Sequence, residues 1–256
     1  RKSPALADLA LRRVGNKVSR VSRRSKFPFG SALRHNPDGY WELENMPSQS
    51  DLDSYYVSTY WSQLRGFSTS PMLNTRDLEH FDLLHGLDAL VPPACIVNFG
   101  AGHGGFSLLA SARRMKVVNV DPFAPPTWRA THTDKLPRDL TADLVYSSHS
   151  LEHVADAAQT LQGFCETLRS GGLCFIEVPD LSRFGPLSTP KFHAPHTYYF
   201  TSQFFLEALP QFEVELVRHR RRNSTSTLPY SIPCHANDSD VLQVVLRKPY
   251  FARRSL

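Results

Sequence analysis

The chain has 256 residues, of which 41% are hydrophobic and 21% charged, with a formal net charge of +5. That is an ordinary globular composition, long enough for one large domain with a real core or for a domain plus a sizeable arm. No run approaches the ~18 apolar residues of a membrane span, no secretory hydrophobic region follows the basic start, and Cys95, Cys165, Cys174 and Cys234 lack metal-type spacing, so they read as free thiols in a reducing, cytoplasmic setting.

In chain order, residues 1–40 read as a basic N-terminal arm, with ten Lys/Arg and one acid between Arg1 and Arg34. Residues 41–93 read as a helical cap. Within it, Ser48 stands as an N-cap before an aromatic-rich stretch, and TRDLEHFDLLHGL places Leu78, Phe81, Leu84 and Leu87 on one side of a helix. From residue 94 to 248 strands and helices alternate. ACIVNF, KVVNV, ADLVYSS and LCFIEVP read as strands, with a short further strand expected inside 122–138. FSLLASARR and LEHVADAAQTLQGFCETLRS read as helices, the second stopped by Gly171 and Gly172. TSQFFLEALP is a helix, and FEVELVRH and DVLQVVLRK close the pattern as an antiparallel hairpin. Residues 249–256 are a basic tail. Strand–helix alternation implies an α/β fold, a mostly parallel sheet with helices on both faces.

The most informative segment is CIVNFGAGHGG, followed by VVNVD ending in Asp121. Glycines let a strand-to-helix turn bend tightly and approach a ligand, and a carboxylate at the tip of the next strand can accept bonds from ribose hydroxyls. Gly100, Gly102 and Gly105 satisfy the G-x-G-x-x-G of dinucleotide sites. Gly100, Gly102 and Gly104 equally satisfy the G-x-G-x-G of S-adenosylmethionine enzymes. A glycine-rich turn that holds no ligand is the bland alternative.

With ADLVYSSHSLEHV, a helix running to LRSGG and then LCFIEVP, the chain resembles class I S-adenosylmethionine-dependent methyltransferases over about residues 40–248. Within them it is similar to bacterial small-molecule and glycan methyltransferases that carry LEH after the fourth strand and H-x-x-H after the fifth. The resemblance implies a Rossmann-like seven-stranded sheet with one antiparallel edge strand, and S-adenosyl-L-methionine as cofactor. It also implies residue roles. Gly100, Ala101 and Gly102 would pass under the methionine part, Asp121 would take the ribose diol, and Pro122 and Phe123 would lie by the adenine. Asp134 and Leu136 would contact the adenine ring, and Ser148 and His149 would lie near the sulfonium. Asn98 stands where the family usually has an acid; it can accept a hydrogen bond but brings no charge to the cofactor's ammonium.

Methyl transfer is an in-line displacement that needs alignment and dryness more than electrophilic help. A hydroxyl acceptor also needs a base, and histidine suits neutral pH. His149, His193 and His196 are the candidate catalytic residues, on two connections that emerge at the carboxyl edge of the sheet. His153 opens a helix and reads as a brace. A metal at His193 and His196 is the weaker reading, and none is expected, because a proline intervenes and no acid is paired with the segment. Tyr198, Tyr199, Phe200, Phe204 and Phe205 divide between core and acceptor-pocket wall, and Tyr55, Tyr56, Tyr60 and Trp61 between core and lid.

The expected acceptor is a small molecule: a sugar, nucleotide-sugar or glycan end, with the basic segments compatible with phosphate or an anionic surface. The rivals are an RNA methyltransferase using the arm and the RHRRR cluster at Arg218–Arg222, and a non-catalytic partner protein with the same fold.

Overall fold

Burial along the strands decides the architecture. The computed structural model describes residues 32–60, 73–122, 130–181, 196–221 and 240–250. In β3 (Cys95–Phe99) the neighbours Ile96 and Val97 are both fully buried although they point to opposite faces. Val117 and Val118 of β4 (Lys116–Val120) repeat this, as do Leu144 and Val145 of β6 (Ala142–Ser148). Strands buried on both faces belong at the centre of a covered parallel sheet.

The sheet completes this logic with β5 (Thr131–Thr133), β7 (Leu168–Pro179), β9 (Glu213–Arg221) and β10 (Asp240–Arg247), in the order β5-β4-β3-β6-β7-β10-β9. The first five are parallel neighbours, and β10 runs antiparallel to both β7 and β9. This is the seven-stranded Rossmann-like sheet. The closing hairpin forms one edge, and its inner member, β10, is the reversed strand.

Helices cover both faces. On one, Phe81 and Leu84 of α2 (Thr75–Gly86) and Phe106 and Ala110 of α3 (Gly105–Ala112) pack on Ile96, Val117, Leu144 and Phe175. Phe106 and Phe175 also sandwich the Tyr146 ring, with centroids at 3.8 and 5.3 Å. On the other face, Leu161 and Phe164 of α4 (Ala157–Thr167) and Phe204 and Phe205 of α5 (Ser202–Glu207) pack on Val97, Val118, Val145, Ile176 and Leu242. Upstream, α1 (Gln49–Tyr55) starts at the expected Ser48, which shares a capping box with Asp51, and continues as a π-helical segment, Tyr56–Tyr60.

Three local expectations differ from the structure. Residues on both sides of position 40 form one hairpin, β1 (Leu33–Asn36) with β2 (Tyr40–Leu43), so a boundary between arm and helical cap cuts through a paired unit. The hairpin is held by β8 (Tyr198–Phe200), a partner far away in sequence that no local pattern announces. In α2, Leu78 is 43% exposed and the buried side carries Asp77, His80, Phe81 and Leu84, because His80 reaches polar partners in the sheet. The LEHV helix splits into a 3₁₀ turn, Leu151–His153, and α4, which starts after the N-cap Asp156. It ends at Thr167, so Gly171 lies inside β7, its φ of +72° and its N–H bond to the Lys248 carbonyl accommodating an irregular register there.

Residues 1–31, 61–72, 123–129, 182–195, 222–239 and 251–256 lie outside the described residues, and with them most of the basic arm, Trp61, Phe123, His193, Cys234 and most of the tail. No helix among the described residues is long and apolar enough to cross a membrane.

Phe164 has no exposed surface and meets Phe99 edge-on at 5.0 Å. Replacing it with alanine is expected to cost about 3–5 kcal/mol in urea unfolding, whereas Leu78→Ala should stay within about 0.5 kcal/mol.

Candidate functional site

β3 ends at Phe99, and the chain turns back into α3 within five residues. Gly100 and Gly102 take φ of +69° and +52°, the left-handed region that side chains avoid. The two serve different needs. A Cβ on Gly100 would lie 1.9 Å from Ser150 Oγ and 2.4 Å from its Cβ, so this glycine is required by the fold itself. A Cβ on Gly102 would meet nothing within 4 Å, so its bareness keeps the open side of the turn free. Ala101 closes the turn by accepting the Gly104 N–H at 2.8 Å.

Asp121 follows β4 directly. Its N–H donates to the Thr133 carbonyl at 3.1 Å, and its Oδ2 accepts the Gly102 N–H at 3.0 Å. The carboxylate therefore faces the glycine turn across the strand ends. Pro122 is exposed beside it, and Phe123 lies outside the described residues. Asp134 is exposed just past β5, and half-buried Leu136 packs over Gly163 of α4. His103 was not singled out by sequence. It sits in the turn, where burial pushes its imidazole below the usual range and Asp121 pulls it back.

Asn98 is buried beneath the turn, and its amide donates to Ser107 Oγ at 2.7 Å, which donates on to Asn119 Oδ1 at 2.6 Å. Its amide nitrogen thus ties β3 to α3 and β4.

The strands on the other side of β3 carry a polar network. Glu177 of β7 has no exposed surface. Its Oε2 lies 2.8 Å from His80 Nε2 and accepts from Gln243 Nε2 at 2.6 Å, while Oε1 accepts from Ser148 Oγ at 3.3 Å and lies 3.2 Å from His149 Nε2. His80 also bonds the Tyr146 hydroxyl at 2.8 Å. Ser148 and His149 are therefore neighbours at the end of β6, as expected. The other ring nitrogen of His149 lies 3.4 Å from Glu152 Oε1. Burial alone would lower the imidazole, but Glu152 and Glu177 outweigh it and hold the group up at about 9. This environment favours the protonated imidazole at neutral pH, so a base role for His149 would first require it to lose that proton.

His196 is buried against the same turn. Thr197 anchors it, with its N–H donating to the Glu152 carbonyl at 2.8 Å and its Oγ1 to the Val154 carbonyl at 2.7 Å. The rings of His153 and His196 are 4.7 Å apart, and Tyr56 reaches His153 edge-on at 6.2 Å. One ligand atom each of Glu152, His153 and His196 lie within 4.8 Å of one another. His193 lies outside the described residues. Tyr198, Tyr199, Phe200, Phe204 and Phe205 are all buried, as the core alternative required. In the cationic cluster, Arg218 donates to Gln243, His219 pairs with Asp180 and Arg220 with Glu79. A cleft of about 370 Å³ lies at the opposite edge, by Ala94, Asp143 and Leu173 at or near the strand starts, away from all of these groups.

A strand–glycine turn–helix, an acid ending the next strand and this strand order coincide with a family model described as a methyltransferase domain, which matches residues 72–223. The chain belongs to the class I S-adenosylmethionine-dependent methyltransferase superfamily. No curated protein matches the methyltransferase-domain chain in sequence. Among solved structures it is similar to 1,6-didemethyltoxoflavin-N1-methyltransferase from Burkholderia thailandensis, bound to its substrate and S-adenosylhomocysteine, at 17% identity and TM-score 0.57, covering 85% of this chain and 99% of that one. It is also similar to the [4+2]-cyclase SpnF, at 15% identity and TM-score 0.56, covering 79% and 96%. A third is a SAM-dependent methyltransferase from Methanosarcina mazei, at 12% identity and TM-score 0.50, covering 66% and 97%. At these identities the likeness concerns the fold of this methyltransferase-domain chain, and the cyclase marks the distance between fold and reaction.

Gly100→Ala adds roughly 1–2 kcal/mol of left-handed strain and about 1–3 kcal/mol of overpacking against Ser150, whereas Gly102→Ala adds the strain alone. Thermal unfolding should rank them in that order, and Ser150→Gly should recover stability in the Gly100→Ala background. Equal destabilisation by the two alanines would contradict the close approach.

Proposed function

We propose that this chain transfers the methyl group of S-adenosylmethionine to a hydroxyl of a sugar, nucleotide-sugar or glycan end. The observation that carries the cofactor half is the Asp121 carboxylate bonded to the N–H of Gly102, whose outer side is open. One carboxylate oxygen fixes the turn, and the other is the acceptor for the ribose diol. Gly100, Ala101 and Gly102 run beneath the methionine part. Pro122, Phe123, Asp134 and Leu136 form the adenine side, and Ser148 borders the sulfonium. The relative from Burkholderia thailandensis, with S-adenosylhomocysteine bound, supports this choice of cofactor.

In the reaction the acceptor oxygen attacks the methyl carbon in line with the sulfur. The C–O bond forms as the S–C bond breaks, the sulfur leaves as a neutral thioether, and the acceptor proton passes to a base. His149, already protonated, supports the crevice as a fixed cation. The base comes from the connection between β7 and β8, which carries His193 and His196. The choice of a sugar-type hydroxyl rests on the resemblance of the LEH and H-x-x-H segments to glycan enzymes. The RNA reading draws less support, because Arg218 and Arg220 of the basic cluster are engaged by Gln243 and Glu79 within the fold.

Titration with S-adenosylhomocysteine tests the cofactor half, and labelled S-adenosylmethionine with a panel of nucleotide-sugars tests the acceptor. Asp121→Asn removes a charge-assisted bond of roughly 1.5–3 kcal/mol, so its affinity for S-adenosylhomocysteine should fall about 10- to 100-fold. Absence of binding by the unaltered chain would overturn the proposal.

A further inference from the structure

Glu152 is a buried carboxylate with fewer hydrogen bonds than its burial calls for. Its side chain is 1% exposed, and neither oxygen has a hydrogen-bond partner among the described residues. The closest imidazole nitrogens lie at ion-pair range, His149 Nδ1 at 3.4 Å and His153 Nε2 at 3.8 Å, both on Oε1. His149 is already engaged on its other side by Glu177. Sharing the His149 imidazolium with Glu177 leaves a carboxylate so deeply buried still short of donors. Three imidazoles face it, His149 and His153 from its own turn and His196 from the strand entry before β8, and the Tyr199 phenol lies near enough to feel its charge.

We propose that Glu152, His153 and His196 bind a divalent transition-metal ion of the zinc class. One carboxylate oxygen and two imidazole nitrogens form a donor set that suits zinc, cobalt or manganese better than the all-oxygen shells of calcium and magnesium. All three donors lie within 4.8 Å of one another. A tetrahedral ion with bonds of ~2.0 Å separates its ligands by roughly 3.3 Å, so binding draws the set inward. His153 can supply the movement, since its side chain is 19% exposed while Glu152 is fixed. Two positions are set by backbone contacts: the Glu152 carbonyl is held by the Thr197 N–H and hydroxyl, which joins the Glu152 turn to the residue next to His196. The partly exposed side of His153, beneath Tyr56, leaves the ion a coordination position toward solvent. The H-x-x-H spacing failed to predict the set because the acid is supplied by another segment.

The consequence for catalysis rests on the proposed methyl transfer: an ion there would bind an acceptor hydroxyl and favour its alkoxide, the proton passing to water.

The test uses the full, untagged chain, dialysed free of metal. Zinc titration by calorimetry and the visible spectrum of the cobalt(II)-loaded chain are measured at neutral pH, with S-adenosylhomocysteine titrated in the same samples. One zinc per chain at micromolar concentration and cobalt bands of nitrogen–oxygen ligation are expected. Affinity should fall at least about 100-fold in Glu152→Gln, His153→Ala and His196→Ala, and stay unchanged in His85→Ala, an exposed histidine on α2. His153→Ala, at a partly exposed position, keeps the test open if a buried variant fails to fold, as checked by far-ultraviolet circular dichroism. No zinc binding by the unaltered chain, or unchanged binding in His153→Ala, overturns the site. S-adenosylhomocysteine binding reports separately on the cofactor proposal and is expected to survive His153→Ala.

Discussion

A fully buried carboxylate at the end of β7 constrains everything around it. Glu177 cannot stand ionised in a low-dielectric core without donors on several sides. They come from four elements: His80 of α2, Ser148 of β6, His149 after it, and Gln243 of β10. This accounts for features that hydrophobicity alone leaves unexplained. α2 is rotated so that His80 points inward while Leu78 is left in solvent. β10 places a glutamine in the sheet centre, and Arg218 of β9 donates to that glutamine in turn at 2.5 Å. His149 adopts a φ of +53°, and its N–H bonds the Glu177 carbonyl at 2.8 Å. Its elevated imidazole is the electrostatic result of two carboxylates outweighing burial.

Much of the fold was legible because the sheet is buried on both faces. Apolar runs such as ACIVNF, KVVNV and LCFIEVP, bounded by turn residues, have few other interpretations. The capping Ser48 and the short strand within 122–138 were legible for equally local reasons. What escaped was non-local. Nothing in Leu33–Leu43 announces that its partner is Tyr198–Phe200, and nothing in TRDLEHFDLLHGL shows that a histidine will displace a leucine from the buried stripe. Polar burial is decided by partners up to 163 residues away, as Gln243 and His80 demonstrate.

The site divides in the same way. The glycine turn and Asp121 were legible, because a bare bend and a strand-end acid have a fixed spacing in chains of this kind. The histidines were visible as residue types but not as groups. Sequence spacing pairs His193 with His196, whereas the fold brings His196 to Glu152 and His153. It also sets His149 between two carboxylates, an environment that depends on Glu177, a residue the sequence offers only as one more position in an apolar strand. Asn98 followed the same rule: its amide is used by Ser107 on the neighbouring helix.

These two halves meet at one contact. β3 is the point where the strand order reverses, with β4 and β5 on one side and β6 and β7 on the other, and crevices open at such points. The turn after β3 is the one proposed to hold the cofactor, and the segment after β6 carries His149, Glu152 and His153. Ser150 bridges them, its Oγ donating to the carbonyls of Gly100 at 3.4 Å and Ser148 at 3.2 Å. It can come so near only because Gly100 has no side chain. The absence of a single Cβ therefore sets the separation between the turn proposed to hold the nucleoside and the imidazoles proposed to face the acceptor. In-line displacement is most sensitive to that separation, since a displacement of about 1 Å between reacting groups can cost roughly 100-fold in rate.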